Sequence, residues 1–182
     1  MSHPSTVSWT ALVTAYMDAG RVQEAVGVAR KAFASGMRPD SFTAVRVLTT
    51  CARVTNLVTG EAVWRVAEQE GIAGNVFVAT AALDLYVKCG EMHKARAVFD
   101  KMQNKDAVAW GAMVGGYASN GHLREALELF FAMQTEGMTP ECYTVAGALS
   151  ACTRLGAWIW DGEQPEWYTG MRFLTTQSWG LH

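Results

Sequence analysis

The segment VSWTALVTAYMDAGRVQEAV at residues 7–26 and the segment VAWGAMVGGYASNGHLREAL at residues 108–127 are two copies of one pattern. Their offset of 101 residues pairs two tryptophans, two tyrosines and two glycines, and it also pairs Cys51 with Cys152 much further along the chain. The pattern is therefore an internal repeat that runs through most of the sequence, and such a repeat decides the fold before any other feature does.

The 101-residue period is itself composite. It divides into three units of 35, 35 and 31 residues: unit 1 (6–40), unit 2 (41–75) and unit 3 (76–106). A second period then begins with unit 4 (107–141), which again has 35 residues, and unit 5 begins at residue 142. Every unit begins with apolar residues spaced i, i+3, i+4 and i+7, which places them on one face of a helix. In unit 1 these residues are Trp9, Leu12, Val13 and Tyr16.

A second helix is predicted after a break in each of units 1 to 4. The twentieth residue of these units is small in every case: Ala25, Gly60, Ala95 and Ala126. A small residue at a fixed place predicts a close approach between helices. One hairpin cannot bury its apolar face alone, so neighbouring units must supply the core. We predict an all-α, right-handed α-solenoid of stacked helix-turn-helix repeats.

The two ends of the sequence lie outside the four complete units. Residues 1–5 are interpreted as a leader, residues 142–157 as the first helix of unit 5, and residues 158–182 as a Trp-rich tail without periodicity. Pro165 stands where a second helix would run, and a proline inside a helix costs about 3 kcal/mol. The tail is either a cap or an end unrelated to the repeats, and its apolar composition favours the second interpretation because natural caps have a polar outer face.

Composition excludes several classes of function. With 15 Lys and Arg against 17 Asp and Glu, the formal net charge is −2, which argues against strong non-specific nucleic-acid binding. No apolar run is long enough to cross a membrane. The four cysteines have no CxxC spacing and no histidine has a glutamate two residues on, so neither a zinc site nor a zinc deaminase centre is predicted. We predict free thiols, no catalytic residues, no metal, no cofactor and no small-molecule substrate.

Three features together carry a family resemblance. Two units end in GMRPD (36–40) and GMTPE (137–141), unit 3 contains LDLYVKCGEMHKARAVFDKM (83–102), and the unit lengths follow the order 35, 35 and 31. These features resemble the pentatricopeptide repeat family, in its plant subclass with long, variant-long and short repeats, over residues 6 to about 157. The chain would then be a truncated member. The spacing of Trp9, Leu12 and Tyr16 is also similar to tetratricopeptide repeats, but the 31-residue unit and the Pro-Asp ending favour the first family.

The resemblance implies that each repeat reads one base of single-stranded RNA through its fifth and last residues. The pairs at these positions are Thr10 with Asp40, Val45 with Asn75, Thr80 with Asp106, and Gly111 with Glu141. In the family's code a Thr–Asp pair favours guanine, whereas the other two pairs depart from the informative combinations. The second residues, which the family uses to sandwich bases, are Val7, Phe77 and Val108.

Two interpretations stay open for the polar residues. Asp40, Asp106 and Glu141 directly precede first helices, where an acidic residue serves as an N-cap or a helix-dipole partner without any RNA. Arg53, Lys88 and Arg154 share the thirteenth position, where stacking would align them for phosphate contacts. Cations near a helix C-terminus are favoured there in any case.

The leading hypothesis is therefore a sequence-selective RNA-binding adaptor. The resemblance implies a role in organelle RNA processing such as C-to-U editing, in the mitochondrion or the chloroplast, with possible editing-complex proteins as partners, although the sequence shows no transit peptide. The alternatives are a protein-binding scaffold of tetratricopeptide type and a truncated product without a function of its own. No membrane partner is predicted.

Overall fold

The structure, a computed structural model, describes residues 6–36 and 38–159, with side chains from residue 8 to residue 155 except those of residues 33 and 37. The helices in this part of the chain are α1 (Thr6–Asp18), α2 (Val22–Ala34), α3 (Ser41–Arg53), α4 (Leu57–Gln69), α5 (Val76–Lys88), α6 (Met92–Lys101), α7 (Ala107–Ser119), α8 (Leu123–Thr135) and α9 (Cys142–Ile159). A 3₁₀ turn at Ile72–Gly74 joins α4 to α5. The described residues contain no strand, and the predicted all-α class is confirmed.

The helices form two layers. Helices α1, α3, α5, α7 and α9 pack each against the next, and we call them the first-helix layer. Each of α2, α4, α6 and α8 packs on the helix before it and on the helix after it. This arrangement joins successive hairpins into one continuous core, so the predicted solenoid of stacked helical hairpins is confirmed.

The core follows the apolar spacing of the sequence. The eighth residue of each unit is fully buried in the middle of the array, as Leu48, Leu83 and Val114 show, whereas Leu149 in unit 5 is 59% exposed. Leu149 is exposed because no second helix of unit 5 follows α9 within the described residues. Burial of such a side chain contributes about 1.5–3 kcal/mol, so the central units are the most strongly held part of the array.

The small twentieth residues lie where helices approach closely, as predicted. Ala25, Ala95 and Ala126 are no more than 1% exposed. A Cβ atom added to Gly60 would overlap the side chain of Leu85 on α5. The glycine therefore leaves room for the Leu85 side chain between α4 and α5.

The turn inside each hairpin has one recurrent backbone conformation. The fifteenth residue adopts positive φ, with values of 70°, 78° and 87° at Gly20, Gly90 and Gly121. In unit 2 the same place is taken by Thr55 at φ 51°. Glycine adopts this conformation without a Cβ clash, whereas a β-branched residue is strained there. The turn geometry is thus imposed by the hairpin and not by the residue that occupies it.

Candidate nucleic-acid interface

An open groove of about 750 Å³ runs along the first-helix layer where units 3, 4 and 5 meet. Its lining brings together several of the repeat positions singled out in the sequence: Thr80 and Gly111 from the fifth position, Val108 and Tyr143 from the second, Lys88 and Ser119 from the thirteenth, and Glu141 from the last. Residues that are up to 63 positions apart in sequence therefore present one surface to a ligand.

Asp40 and Asp106 are N-caps with nearly the same geometry. Asp40 Oδ1 accepts from the Thr43 amide and Asp106 Oδ1 from the Ala109 amide, each at 2.8 Å. Both aspartates have extended backbone, with ψ near 170°. The amides that they satisfy are among those a helix start leaves without an internal partner. The cap interpretation is therefore correct for both residues, and capping fixes the position of each carboxylate at the start of its helix.

Asp40 also belongs to a small polar network at the start of α3. The hydroxyl of Thr43, a residue that is 1% exposed, lies 2.8 Å from the hydroxyl of Thr10. Hydrogen bonds from the Thr43 side chain and then from its amide hold the pKa of Asp40 below its ordinary value. The structure thus links Thr10 and Asp40, the fifth and last residues of unit 1, through one buried threonine of unit 2.

The corresponding pair in unit 3 has no such link. Thr80 and Asp106 repeat the residue types of Thr10 and Asp40, but Ala109 takes the place of Thr43 and offers no hydroxyl. Within the described part of the chain, Thr80 Oγ1 is buried and has no hydrogen-bond partner. Two pairs that look identical in sequence therefore differ in hydrogen bonding.

The two remaining pairs depart further. Asn75 accepts from the amide of Phe77, two residues on, at 2.9 Å, and Val45 supplies no polar group. Gly111 is buried, and a Cβ atom there would lie 2.7 Å from Thr144 Oγ1. The third residue of unit 5 thus fills the space that a fifth side chain of unit 4 would need. Neither pair offers the hydroxyl and carboxylate combination of the other two.

The second residues expose apolar side chains. Phe77 is 73% exposed and Val108 56%, while the side chain of Val7 lies outside the described residues. The structure adds Phe42 and Tyr143, 60% and 63% exposed, which the sequence analysis missed. The 101-residue offset relates these two residues and could have identified them.

Tyr143 lies across the glycines of α7. A Cβ atom on Gly115 would lie 2.6 Å from the Tyr143 hydroxyl oxygen, so a glycine there makes room for the ring. A Cβ atom on Gly147 of α9 would come within 3.2 Å of Gly115 Cα. The α7 and α9 backbones therefore approach closely.

The three cations at the thirteenth position have different surroundings. Lys88 lines the groove, and its Nζ lies 2.7 Å from Asp84 Oδ2. Arg154 donates to the carbonyl of Ala118 near the end of α7, at 2.6 Å. Arg53 is exposed in the last turn of α3 and has no ion-pair partner among the described residues. Lys88 and Arg154 thus already have partners, and phosphate contacts by the three residues stay a prediction.

No metal site is visible in residues 6–36 and 38–159, where no group of three or more His, Cys, Asp or Glu side chains converges. Burial raises the pKa of the Cys51 thiol to about 12, so this cysteine is a neutral core residue. Among the described helices, none is long and apolar enough to cross a membrane.

Comparison with known proteins gives consistent results. A family model described as "PPR repeat" matches residues 7–34, 77–106 and 108–138. A putative pentatricopeptide repeat-containing protein of Arabidopsis thaliana is 43% identical over 128 residues, which cover 70% of this chain and 19% of the relative. A chloroplastic relative from the same plant is 38% identical, and the match covers 80% of this chain and 24% of the relative. A mitochondrial relative is 34% identical, and the match covers 97% of this chain and 26% of the relative. The chain thus spans about a quarter or less of the length of these relatives.

Solved structures resemble the fold as well. The maize pentatricopeptide repeat protein PPR10 aligns with a TM-score of 0.63 and 26% identity, covering 85% of this chain and 23% of PPR10. PPR10 in complex with an 18-nt psaJ RNA element aligns with a TM-score of 0.68 and 21% identity, covering 94% of this chain and 27% of PPR10. The second likeness concerns the fold alone.

Proposed function

Because this chain belongs to the pentatricopeptide repeat family, we propose that it is a sequence-selective module for single-stranded RNA in which each repeat contacts one base. The observation that carries the proposal is the groove along the first-helix layer, where residues of the second, fifth, thirteenth and last repeat positions meet. A single RNA strand in this groove would contact the apolar side chain of Val108, the Thr80 side chain with its hydroxyl, the Glu141 carboxylate and the Lys88 ammonium group. The solved complex of PPR10 with RNA supports the same use of this fold.

The second, fifth and last repeat positions suit an unstacked base. Phe77 and Val108 are exposed second residues, and stacking of a base on such a side chain contributes about 1–3 kcal/mol when the residue is aromatic. The Thr80 hydroxyl can donate to an acceptor on the base edge, and the Asp106 carboxylate can accept from N–H groups. Guanine carries both kinds of group on one edge. We propose guanine opposite units 1 and 3, with any base between them, reading 5′ to 3′.

The cellular role is an extension of this proposal. An RNA-binding array without catalytic residues of its own would act as an adaptor for organelle RNA processing such as C-to-U editing, with partner proteins that perform the reaction. Relatives named chloroplastic and mitochondrial support an organelle as its location. Recovery of the tagged chain from fractionated organelles tests this location.

Selection from a randomised single-stranded RNA pool at low salt tests base reading. We expect the wild-type chain to enrich guanines two positions apart. A Thr10→Asn/Thr80→Asn variant should enrich uracil in their place, because Asn with Asp favours uracil in the family's code. Thr49→Asn is the matched control, since Thr49 is exposed on the same layer but belongs to neither pair. Enrichment that does not change with the double variant would contradict the assigned register.

A peptide-binding scaffold is the competing function, and the charge of the chain favours it. The formal net charge is −2, and Lys88 in the groove is already paired with Asp84. Competition separates the two functions: a random peptide pool that displaces bound RNA, or that is enriched when RNA is not, would favour the scaffold. A soluble, helical chain that enriches neither would count against both.

A further inference from the structure

At two junctions between units, the third residue of one unit lies beside the fifth residue of the unit before it. Thr43 is in hydrogen-bond contact with Thr10, and Thr144 occupies the space beside Gly111. Ala109 holds the equivalent place behind Thr80, since Asp106 caps its amide as Asp40 caps that of Thr43. One buried position therefore controls the surroundings of the residue proposed to contact the base.

The Thr10 hydroxyl is already hydrogen-bonded within the protein. Its oxygen lies 2.8 Å from the hydroxyl oxygen of the buried Thr43, and either hydroxyl can be the donor in this bond. A base opposite unit 1 would therefore compete with Thr43 for the Thr10 hydroxyl.

Thr80 is in the opposite situation. Its Oγ1 has no hydrogen-bond partner among the described residues, although the Thr80 side chain lines the groove. A buried polar atom without a partner is unfavourable. Rotation about χ1 toward an acceptor in the groove would relieve this and would break no existing hydrogen bond of that hydroxyl.

On the basis of the proposed RNA-binding function, we propose that the third residue of the following unit is a positioning residue that sets how strongly a Thr–Asp pair selects its base. Ala109 leaves the Thr80 hydroxyl available to donate to a guanine acceptor. Thr43 takes up the Thr10 hydroxyl, so the pair in unit 1 selects guanine more weakly than the identical pair in unit 3.

Reciprocal substitutions test this proposal on RNAs that carry guanine or adenine opposite unit 1 or unit 3. Ala109→Thr is expected to lower the guanine preference opposite unit 3 by about fivefold, the size of one ordinary hydrogen bond. Thr43→Val is expected to raise the preference opposite unit 1 by a similar factor. Ala109→Val is the matched control, because it adds similar volume without a hydroxyl and should leave the preference unchanged. Ala109→Ser supplies the hydroxyl with less bulk if the threonine disturbs packing.

Urea unfolding of the same variants gives a readout without RNA. Ala109→Thr or Ala109→Ser should unfold at a higher midpoint than Ala109→Val, because the new hydroxyl pairs with Thr80. A higher midpoint with an unchanged guanine preference would overturn the proposal while leaving RNA binding intact. An equal guanine preference opposite units 1 and 3 in the wild-type chain would also overturn the proposal while leaving RNA binding intact. A wild-type chain that binds no RNA would overturn the proposed function, and this inference with it.

Discussion

Asp40 performs two tasks at once, as an N-cap of α3 and as one half of a candidate base-reading pair. Substituting an N-cap aspartate by alanine costs about 0.5–2 kcal/mol, which is a large part of the stability of a marginal domain. This residue would therefore be retained without RNA, and its presence alone does not identify an RNA reader. What distinguishes it is the link to Thr10 through Thr43.

The lowered pKa of Asp40 predicts a pH dependence of stability. A carboxyl whose folded-state pKa lies below its unfolded value contributes stability above the unfolded pKa of about 3.9. This contribution is lost as the pH falls through the folded pKa. We expect Asp40→Asn to lower the urea midpoint at pH 6, and we expect the difference from the wild type to shrink as the pH falls below the unfolded pKa.

Urea titrations across this range check the sign of the effect. The matched control is Asp100→Asn, because Asp100 is exposed on α6 and caps no helix start. A wild-type minus Asp40→Asn difference that grew toward low pH would contradict the hydrogen-bond arrangement at the start of α3.

Sequence patterns predict the features that depend on neighbouring residues, and they miss those that depend on contacts between units. The caps at Asp40 and Asp106 could be predicted because capping is local, within three residues of chain. The unequal surroundings of Thr10 and Thr80 could not, since they depend on a side chain about 30 residues away in the next unit. Thr55 at positive φ was also beyond sequence reasoning, because glycine holds that place in the other hairpins.

At the scale of elements, glycine and alanine positions set how closely the helices stack. The repeat arithmetic predicted the helix pairs and the small twentieth residue, because both follow from periodic burial. It did not predict the close approach of α7 and α9 at Gly115 and Gly147. That approach comes from tertiary packing and carries no periodic signal.

Gly60→Ala tests how tightly the Leu85 side chain packs against α4. The added methyl would clash with the buried side chain of Leu85, so we expect a loss of about 1–3 kcal/mol from overpacking. This outweighs the gain of about 1 kcal/mol that alanine brings to a helix interior. Gly27→Ala is the control, because nothing lies within 4 Å of its Cβ position on α2, and it should stabilise the chain. Chemical denaturation measures both, and equal effects would contradict the close approach.

At the scale of the whole molecule, many cations serve the array itself. Within the described residues, four ion pairs connect successive units: Arg38 with Glu70, Arg46 with Asp18, Glu61 with Lys94, and Glu68 with Lys101. Lys88 pairs with Asp84 inside unit 3. Exposed pairs of this kind contribute at most about 1 kcal/mol each, but they reduce the positive charge that faces a nucleic acid.

This distribution of charge predicts a shallow salt dependence for RNA binding. Each phosphate neutralised on a single strand contributes about −0.7 to the slope of log K against log salt, so three contacts by Arg53, Lys88 and Arg154 would give about −2. Because Lys88 and Arg154 already have partners within the protein, we expect a slope between about −0.7 and −1.4. Arg53→Gln should reduce its magnitude by about 0.7, whereas Lys31→Gln, exposed on α2 in the other layer, should leave it unchanged. RNA titrations over a range of NaCl concentrations measure this slope. A slope steeper than about −2 would mean that the thirteenth-position cations exchange their protein partners for phosphate. Contacts to the RNA backbone, more than base reading, would then account for the affinity.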